Sequence, residues 1–293
     1  MLEREFGNTG LRVSALGFGA GHVGGHDLGE DEAGTVLNRA VDLGVTLIDT
    51  ARGYGLAEER VGRHLSHRRD DFVLSTKGGY GVEGTDDWTP ENIRLGIERA
   101  LRVMRTDRID VFHLHSCPLD VARREDLLAE LDRAREAGLV RVTAYSGENA
   151  ALDWAVGSGR FGSVQTSVNL ADQRSLHHDL PRAREAGLGV IAKRPLANAP
   201  WRFAERPTGQ YAEVYWDRLK VLALDPAGLD WDEFALRFST FAPGVSSAIA
   251  GTRSPERLAR NAEIVARGPL PQDVLDRVEA SWAEHGADWG GEV

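Results

Sequence analysis

Eight short runs of apolar and β-branched residues recur along the chain, each followed by a longer Ala/Leu/Arg/Glu stretch with helical spacing. The expected strands are Ser14–Phe18, Val45–Asp49, Phe72–Lys77, Ile109–His115, Val140–Ser146, Ser163–Ser167, Gly189–Lys193 and Ser246–Ile249. Helices are expected to begin near Asp31, Ala57, Pro90, Val121, Asn149, Ser175, Trp231 and Pro255. Strict strand–helix alternation gives an all-parallel sheet covered on both faces. With eight units the sheet is expected to close on itself as a (β/α)8 TIM barrel. The competitor is an open, doubly wound sheet. That fold usually carries G-x-G-x-x-G after its first strand, and Gly17-Phe18-Gly19-Ala20-Gly21 lacks the spacing.

Outside the repeat, residues 2–14 read as a hairpin that turns at Asn8-Thr9-Gly10 and caps the barrel. Residues 78–89 and 196–228 are longer than ordinary connections, so they are expected to be functional loops at the C-terminal face of the barrel. Part of the second, about 210–222, has helical character. The closing segment HGADWGGEV reads as a flexible tail or as a loop folded over something. No linker divides the chain, so residues 1–293 are expected to form one barrel domain.

The net charge of −10 disfavours nucleic acid and anionic membrane as partners, since both need a basic face. Cys117 is the single cysteine, which rules out an internal disulfide and a thiolate zinc cluster. The N-terminus shows no apolar signal segment, and no run approaches the roughly 20 apolar residues of a membrane span. A cytoplasmic enzyme, monomeric by default, is the expectation.

In a barrel of this kind, chemistry sits where strands end. Asp49 ends the second run and Tyr54 follows on the loop TARGYG; Lys77 ends the third run and His115 the fourth. Side chains alternate along a strand. Val73, Ser75 and Lys77 therefore share one face, as do Val111, His113 and His115, while Phe72, Leu74, Phe112 and Leu114 take the other. Lys77 and His115 are thus expected to point into the barrel mouth. Only three of the 35 basic residues are Lys: Lys77, Lys193 and Lys220. A compact ammonium suits an interior position better than a guanidinium fork. An ammonium beside a phenol stabilises the phenolate, lowering a pKa of about 10 and making Tyr54 a usable proton donor, with Asp49 orienting Lys77. His115 is placed to orient a carbonyl. Each residue alone has an ordinary reading as cap, packing residue or core histidine; the four together do not.

The segments EREFGNTGLRVSALGFG, LIDTARGYGLAEERVG, STKGG and IDVFHLHSCP resemble the aldo-keto reductase superfamily over nearly the whole chain. The resemblance implies an oxidoreductase that moves a hydride between a nicotinamide cofactor and a carbonyl, with Asp49, Tyr54, Lys77 and His115 as its catalytic tetrad. It implies a cofactor site as well. Independently, Ser254 and Pro255 mark a helix start, and a helix N-terminus after Gly-Thr is a ready anion site. Arg257 and Asn261 share one face of that helix. The segment Ile249–Asn261 resembles the stretch that holds the 2′-phosphate and adenine of NADPH. The expected cofactor-binding set is Gly19, Ser146, Gln165, Lys193, Arg194, Leu196, Gly251, Thr252, Arg253, Arg257 and Asn261. NADPH is the expected cofactor and NADH the alternative, because Gly251 stands where many members carry Lys. Gly147 replaces an expected Asn, and Lys193 an aromatic residue that stacks on nicotinamide. Lys193 has two readings, a solvated lid residue or a cation paired with a carboxylate or touching the cofactor.

Three other readings stay open. A Lys inside a barrel forms Schiff bases in aldolases, which would use Lys77. A metal hydrolase would use Asp110, His113 and His115, but Asp110 faces away from the two histidines. A non-catalytic cofactor-binding subunit is the third. Substrate walls are expected from residues 20–26, 78–89, 196–216 and the tail, with Trp88, Trp201 and Trp289 as aromatic candidates for a small carbonyl or alcohol substrate.

Overall fold

The computed structural model describes residues 1–293. Ten strands form: β1 (Glu3–Glu5), β2 (Arg12–Ser14), β3 (Leu16–Gly19), β4 (Leu47–Asp49), β5 (Val73–Gly78), β6 (Ile109–His115), β7 (Val140–Ser146), β8 (Ser163–Ser167), β9 (Gly189–Lys193) and β10 (Ser247–Ala250). β3 to β10 close a parallel barrel in sequence order, β10 pairing with β3. This is the (β/α)8 barrel expected from the alternation. β1 and β2 form a separate antiparallel pair. The expected first run splits, because Ser14 ends the hairpin and the barrel strand starts at Leu16.

The two faces of each strand separate as the period-2 pattern requires. Val73, Val111, Val142 and Ile191 pack inside the barrel with Leu47. Leu74, Phe112, Leu114, Val164 and Val190 point outward into the layer shared with the helices. The hairpin supplies Phe6, Leu11 and Val13 to the inner cluster, closing the barrel's N-terminal end. Its docking depends on small neighbours. A Cβ on Gly189 would lie 2.8 Å from the Phe6 ring, and Gly7 takes φ 56° beside Gly187 and Leu188.

Helix starts follow local chemistry. Thr89 Oγ1 accepts from Asn92 N at 3.1 Å ahead of Pro90–Val103. Ser254 Oγ accepts from Arg257 N at 3.1 Å ahead of Pro255–Ala266. Each cap is worth about 1 kcal/mol, and Pro at the first helical position gives up no bonded N–H. The expected start near Val121 is a short turn, Leu119–Ala122, before the longer helix Glu125–Glu136. A helix at Glu213–Leu222 occupies the long loop after β9. The helix Gln272–His285 lies beyond the eightfold pattern. It buries Val274 and Val278 against Phe234, Phe238 and Leu170.

Candidate active site at the C-terminal mouth of the barrel

Strand register brings the functional side chains into one ring. Gly19 pairs with Asp49 and Asp49 with Ser75. Lys77 pairs with His113, and His115 with Ser146. Ser146 pairs with Gln165, and Ser167 with Lys193. In a parallel sheet, residues in register share a face, so most of the ring follows from strand pairing alone.

Lys77 is 2% exposed and Asp49 1%. Lys77 Nζ donates to Asp49 Oδ2 at 2.6 Å and to the Thr50 carbonyl at 2.8 Å. Ser75 Oγ donates to Asp49 Oδ1 at 2.7 Å, so both carboxylate oxygens are occupied. Burial pushes the Lys77 ammonium toward neutrality, but the Asp49 charge and Tyr54 outweigh it and the net shift is upward. Lys77 is therefore a fixed positive charge at neutral pH. Its Nζ lies 5.1 Å from the centroid of the Tyr54 ring. Tyr54 meets His115 edge-on, with centroids 5.8 Å apart and planes at 87°. The four residues Asp49, Tyr54, Lys77 and His115, scattered over 67 positions of sequence, thus converge at one mouth.

His115 is neutral. Burial first, then the positive charges of Lys77 and Lys193, hold it down to about 3. His113 is fully buried below, sharing Ser75 Oγ at 3.1 Å through Nε2, and burial takes its pKa well below the ordinary histidine value. It is a core neighbour of the site. Asp110 lies on the opposite face, held by Arg69 at 2.6 Å, Arg141 at 3.1 Å and the Leu74 amide at 2.8 Å. The residues of the metal-hydrolase reading therefore do not meet.

The cofactor candidates line the next part of the ring. Ser146 Oγ donates to Gln165 Oε1 at 3.0 Å, leaving the buried Gln165 Nε2 without a partner. Asn261, 3% exposed, has a partnerless Nδ2. Gly19 and Gly251 face each other closely. A Cβ on Gly251 would sit 2.7 Å from the Gly19 carbonyl and 2.5 Å from His22 Nδ1. Thr252 is buried and its Oγ1 accepts from Ser254 N at 3.1 Å. Arg257 is exposed on the first turn of its helix. Arg253 reaches across the mouth to the first loop, where it grips Asp27 at 2.5 and 2.9 Å and the His22 carbonyl at 3.0 Å. Buried amides lacking partners, a cradle that a side chain would fill and a capped helix start suit a carboxamide, an adenine and a phosphate.

Lys193 is paired rather than solvated. Its Nζ lies 3.2 Å from Glu148 Oε1 with the side chain 16% exposed. Glu148 also accepts from Thr166 Oγ1 at 2.5 Å and Ser167 N at 2.8 Å. Beyond Lys193 the chain twists through Arg194, Ala197, Asn198 and Ala199, all at positive φ (46–58°). Left-handed backbone in non-glycine residues is costly and concentrates at functional loops. Leu196 packs from this loop against the outer clusters.

The tail is folded over this side of the mouth. Asn149 pairs with both backbone groups of Gly291, at 2.8 and 3.0 Å. Glu292 N donates to Asp172 Oδ2 at 2.9 Å, while Arg194 donates to the Glu292 carbonyl at 2.6 Å. Trp289 packs edge-on to Trp282 under Arg218. Of the other aromatic candidates, Trp88 contacts Tyr80 and Trp201 stacks on Trp231. Tyr80, Glu148, Asp172 and Arg218 were not singled out by sequence. Tyr80, Glu148 and Asp172 in connections and Arg218 on the helix Glu213–Leu222 carry no local signature, and only the folded barrel brings them together. A cavity of about 430 Å³ lies elsewhere, between the helices Arg174–His178, Trp231–Thr240 and Gln272–His285, and shares no residue with the tetrad.

Similar proteins span nearly the whole chain. The chain is 29% identical to a D-threo-aldose 1-dehydrogenase from a Pseudomonas species, over 88% of this chain and 91% of that protein. It is 27% identical to an L-galactose dehydrogenase from Arabidopsis thaliana, over 94% and 93%. Its fold matches the holo form of an aldo-keto reductase from Bacillus halodurans with a TM-score of 0.83 and 25% identity, covering 96% of both chains. These relatives include oxidoreductases, and one solved structure is a holo form, while two further relatives, 28% identical, are named as probable voltage-gated potassium channel beta subunits from Oryza sativa and Arabidopsis thaliana. No helix here is long and apolar enough to cross a membrane. The sequence profile of the Aldo/keto reductase family matches residues 15–283, and the chain belongs to that family.

Proposed function

We propose that this protein reduces an aldehyde, ketone or sugar carbonyl, and catalyses the reverse oxidation, with Tyr54 as the proton donor and acceptor. The observation that carries this reading is the buried Lys77–Asp49 pair beneath the Tyr54 ring. A reduced nicotinamide, once bound, supplies the hydride. The Tyr54 hydroxyl gives its proton to the carbonyl oxygen, and the adjacent ammonium of Lys77 offsets the negative charge left on the phenol oxygen. Asp49 holds the ammonium in place. Neutral His115 orients the carbonyl by a hydrogen bond. Solvent returns the proton to Tyr54.

For the cofactor, Ser146 and Gln165 would take the carboxamide, Asn261 the adenine and Arg257 the 2′-phosphate of NADPH, with NADH the alternative. Gly19, Gly251 and Thr252 would form the cradle between, and Lys193, Arg194 and Leu196 the wall beside the nicotinamide. Arg253 can reach a phosphate only by releasing Asp27. Two similar proteins are named as sugar dehydrogenases, so aldoses head the list of substrates to assay. The Schiff-base reading is disfavoured because Lys77 is held as an ammonium by two acceptors, and an amine must lose its proton to attack.

Tyr54→Phe is expected to lower kcat by about a thousandfold with cofactor affinity unchanged in a Trp-fluorescence titration. Near-wild-type turnover in that variant would remove the mechanism. Absence of any turnover in the wild-type chain over a panel of aldehydes and aldoses would favour the non-catalytic subunit.

A further inference from the structure

A neutral imidazole has one ring proton and two nitrogens, and the nitrogen that carries it decides what the ring can do. For His115 to hydrogen-bond a carbonyl oxygen, the nitrogen facing that oxygen must bear the proton. The wrong tautomer would set a lone pair against the oxygen lone pairs.

Tyr80 lies three residues beyond Lys77, on the loop that leaves β5. Its ring stacks on the His115 imidazole with centroids 5.5 Å apart and planes at 29°. Its hydroxyl oxygen lies 2.9 Å from His115 Nδ1. The hydroxyl has no other hydrogen-bond partner in the protein. A phenol is a better donor than an imidazole N–H, and an imidazole nitrogen is a better acceptor than a phenol oxygen. The lower-energy arrangement is therefore O–H···Nδ1.

The loop is built to keep Tyr80 there. Trp88 packs against the Tyr80 ring, tilted by 59° with centroids 5.8 Å apart. Trp88 can approach because residue 79 is Gly: a Cβ there would lie 2.1 Å from the indole, and its φ of 122° favours glycine. Arg52 donates to the Tyr80 carbonyl at 3.4 Å. Gly53 leaves room for the hydroxyl, since a Cβ there would stand 3.2 Å from it.

We propose that Tyr80 is a positioning residue. Its hydroxyl donates to His115 Nδ1, places the ring proton on Nε2 and so makes His115 a hydrogen-bond donor toward the substrate oxygen. This rests on the reading above in which His115 orients the carbonyl. Donation from Nε2 serves both directions of the reaction, because the substrate oxygen accepts whether it arrives as a carbonyl or as the alcohol whose proton passes to Tyr54. His115 gains and loses no proton in the cycle, which agrees with the cations around it.

Tyr80→Phe keeps the ring, its stack on His115 and its contact with Trp88, and removes only the hydroxyl. The direct readout is the ¹⁵N shifts of the ring nitrogens, with His115→Gln identifying the His115 signals among nine histidines. Wild-type His115 is expected as the Nε2–H tautomer at neutral pH, and Tyr80→Phe is expected to lose that preference. In turnover, Tyr80→Phe should lower kcat about tenfold, the scale of one net hydrogen bond, with cofactor affinity unchanged. The double variant Tyr80→Phe/His115→Gln should be no slower than His115→Gln alone, since Tyr80 acts through His115. An Nδ1–H tautomer in the wild type, or a tautomer that ignores the Tyr80 change, overturns the proposal. A tautomer shift without a kcat change overturns its catalytic half. The spectra need no substrate, so this proposal can fail while the Tyr54 mechanism stands, and the reverse.

Discussion

Lys77→Met tests whether the buried ammonium serves the fold, the chemistry or both. Removing it leaves Asp49, 1% exposed, as a carboxylate with only Ser75 Oγ as a donor. Breaking a buried pair by deleting one partner costs about 3–5 kcal/mol. Folded domains have a margin of roughly 5–15 kcal/mol, so the variant should fold but be visibly weakened. The catalytic loss has a separate origin. With Nζ 5.1 Å from the Tyr54 centroid, an effective dielectric of about 20 gives an attraction near 3 kcal/mol for a developing phenolate, or about two orders of magnitude in kcat. Lys77→Met/Asp49→Asn distinguishes the two. It removes the stranded charge and should recover most of the lost stability, to within about 1 kcal/mol for the missing hydrogen bond. It should recover none of the rate. Urea unfolding followed by the seven Trp residues reads the first quantity, and steady-state reduction of a simple aldehyde the second. If turnover returns with stability in the double variant, Lys77 acts through the fold alone. If Lys77→Met unfolds at the wild-type urea concentration, the charge accounting for Asp49 is wrong.

Arg257→Ala should weaken NADPH by about tenfold or more and leave NADH nearly unchanged. Equal losses would move the 2′-phosphate elsewhere. Asp27→Asn should release Arg253 and tighten NADPH relative to NADH in a fluorescence titration, more so at low salt; a ratio that does not move would show that Arg253 never reaches the phosphate. Asp172 predicts a pH effect on stability. Burial first, and then the Glu148 carboxylate, push it up to about 7. The folded chain thus holds a proton between about pH 4 and 7 that the unfolded chain releases, so this contribution is present below pH 4 and lost as pH rises through 7. Asp172→Asn should therefore be more stable than wild type at pH 8, by about 2 kcal/mol or more, and equal to it near pH 4. Parallel pH profiles of the urea midpoint would contradict this.

The barrel was legible because its signal is periodic and local. Six of the eight barrel strands begin within one residue of their expected starts, and the convergence of Asp49, Lys77 and His115 follows from alternation and register. The last helix lies outside the strand–helix repeat, so the alternation does not predict it, although Val274, Val278 and Trp282 recur every fourth residue. The far side of the mouth was hidden for a different reason. Glu148, Asp172 and Arg218 acquire meaning only through contacts across 45 to 120 residues, with Lys193 for the first and with the tail for the other two. Tyr80 has no distinguishing signal in its Gly- and Asp-rich loop. Nothing in sequence indicates that Gly79 admits Trp88 and so fixes Tyr80 against His115.

The scarcity of Lys acquires a structural meaning at the mouth. Where this chain needs a cation to gather several backbone carbonyls it uses Arg: Arg60 donates to the carbonyls of Val23, Gly25 and Leu28 at 2.6–2.9 Å. Inside the barrel it uses Lys twice, and a compact ammonium places a point charge on a single carboxylate where a guanidinium would present a planar fork. Two ammonium groups in one mouth raise each other's cost, and each has its own carboxylate. They are not equivalent. Lys77 has Asp49 at 2.6 Å and the Thr50 carbonyl at 2.8 Å, and its pKa rises. Lys193 has Glu148 at 3.2 Å, and burial prevails, so its pKa falls. Lys77 is thus the fixed charge that the proposed proton transfer from Tyr54 requires. Lys193 is the more readily neutralised cation of the two.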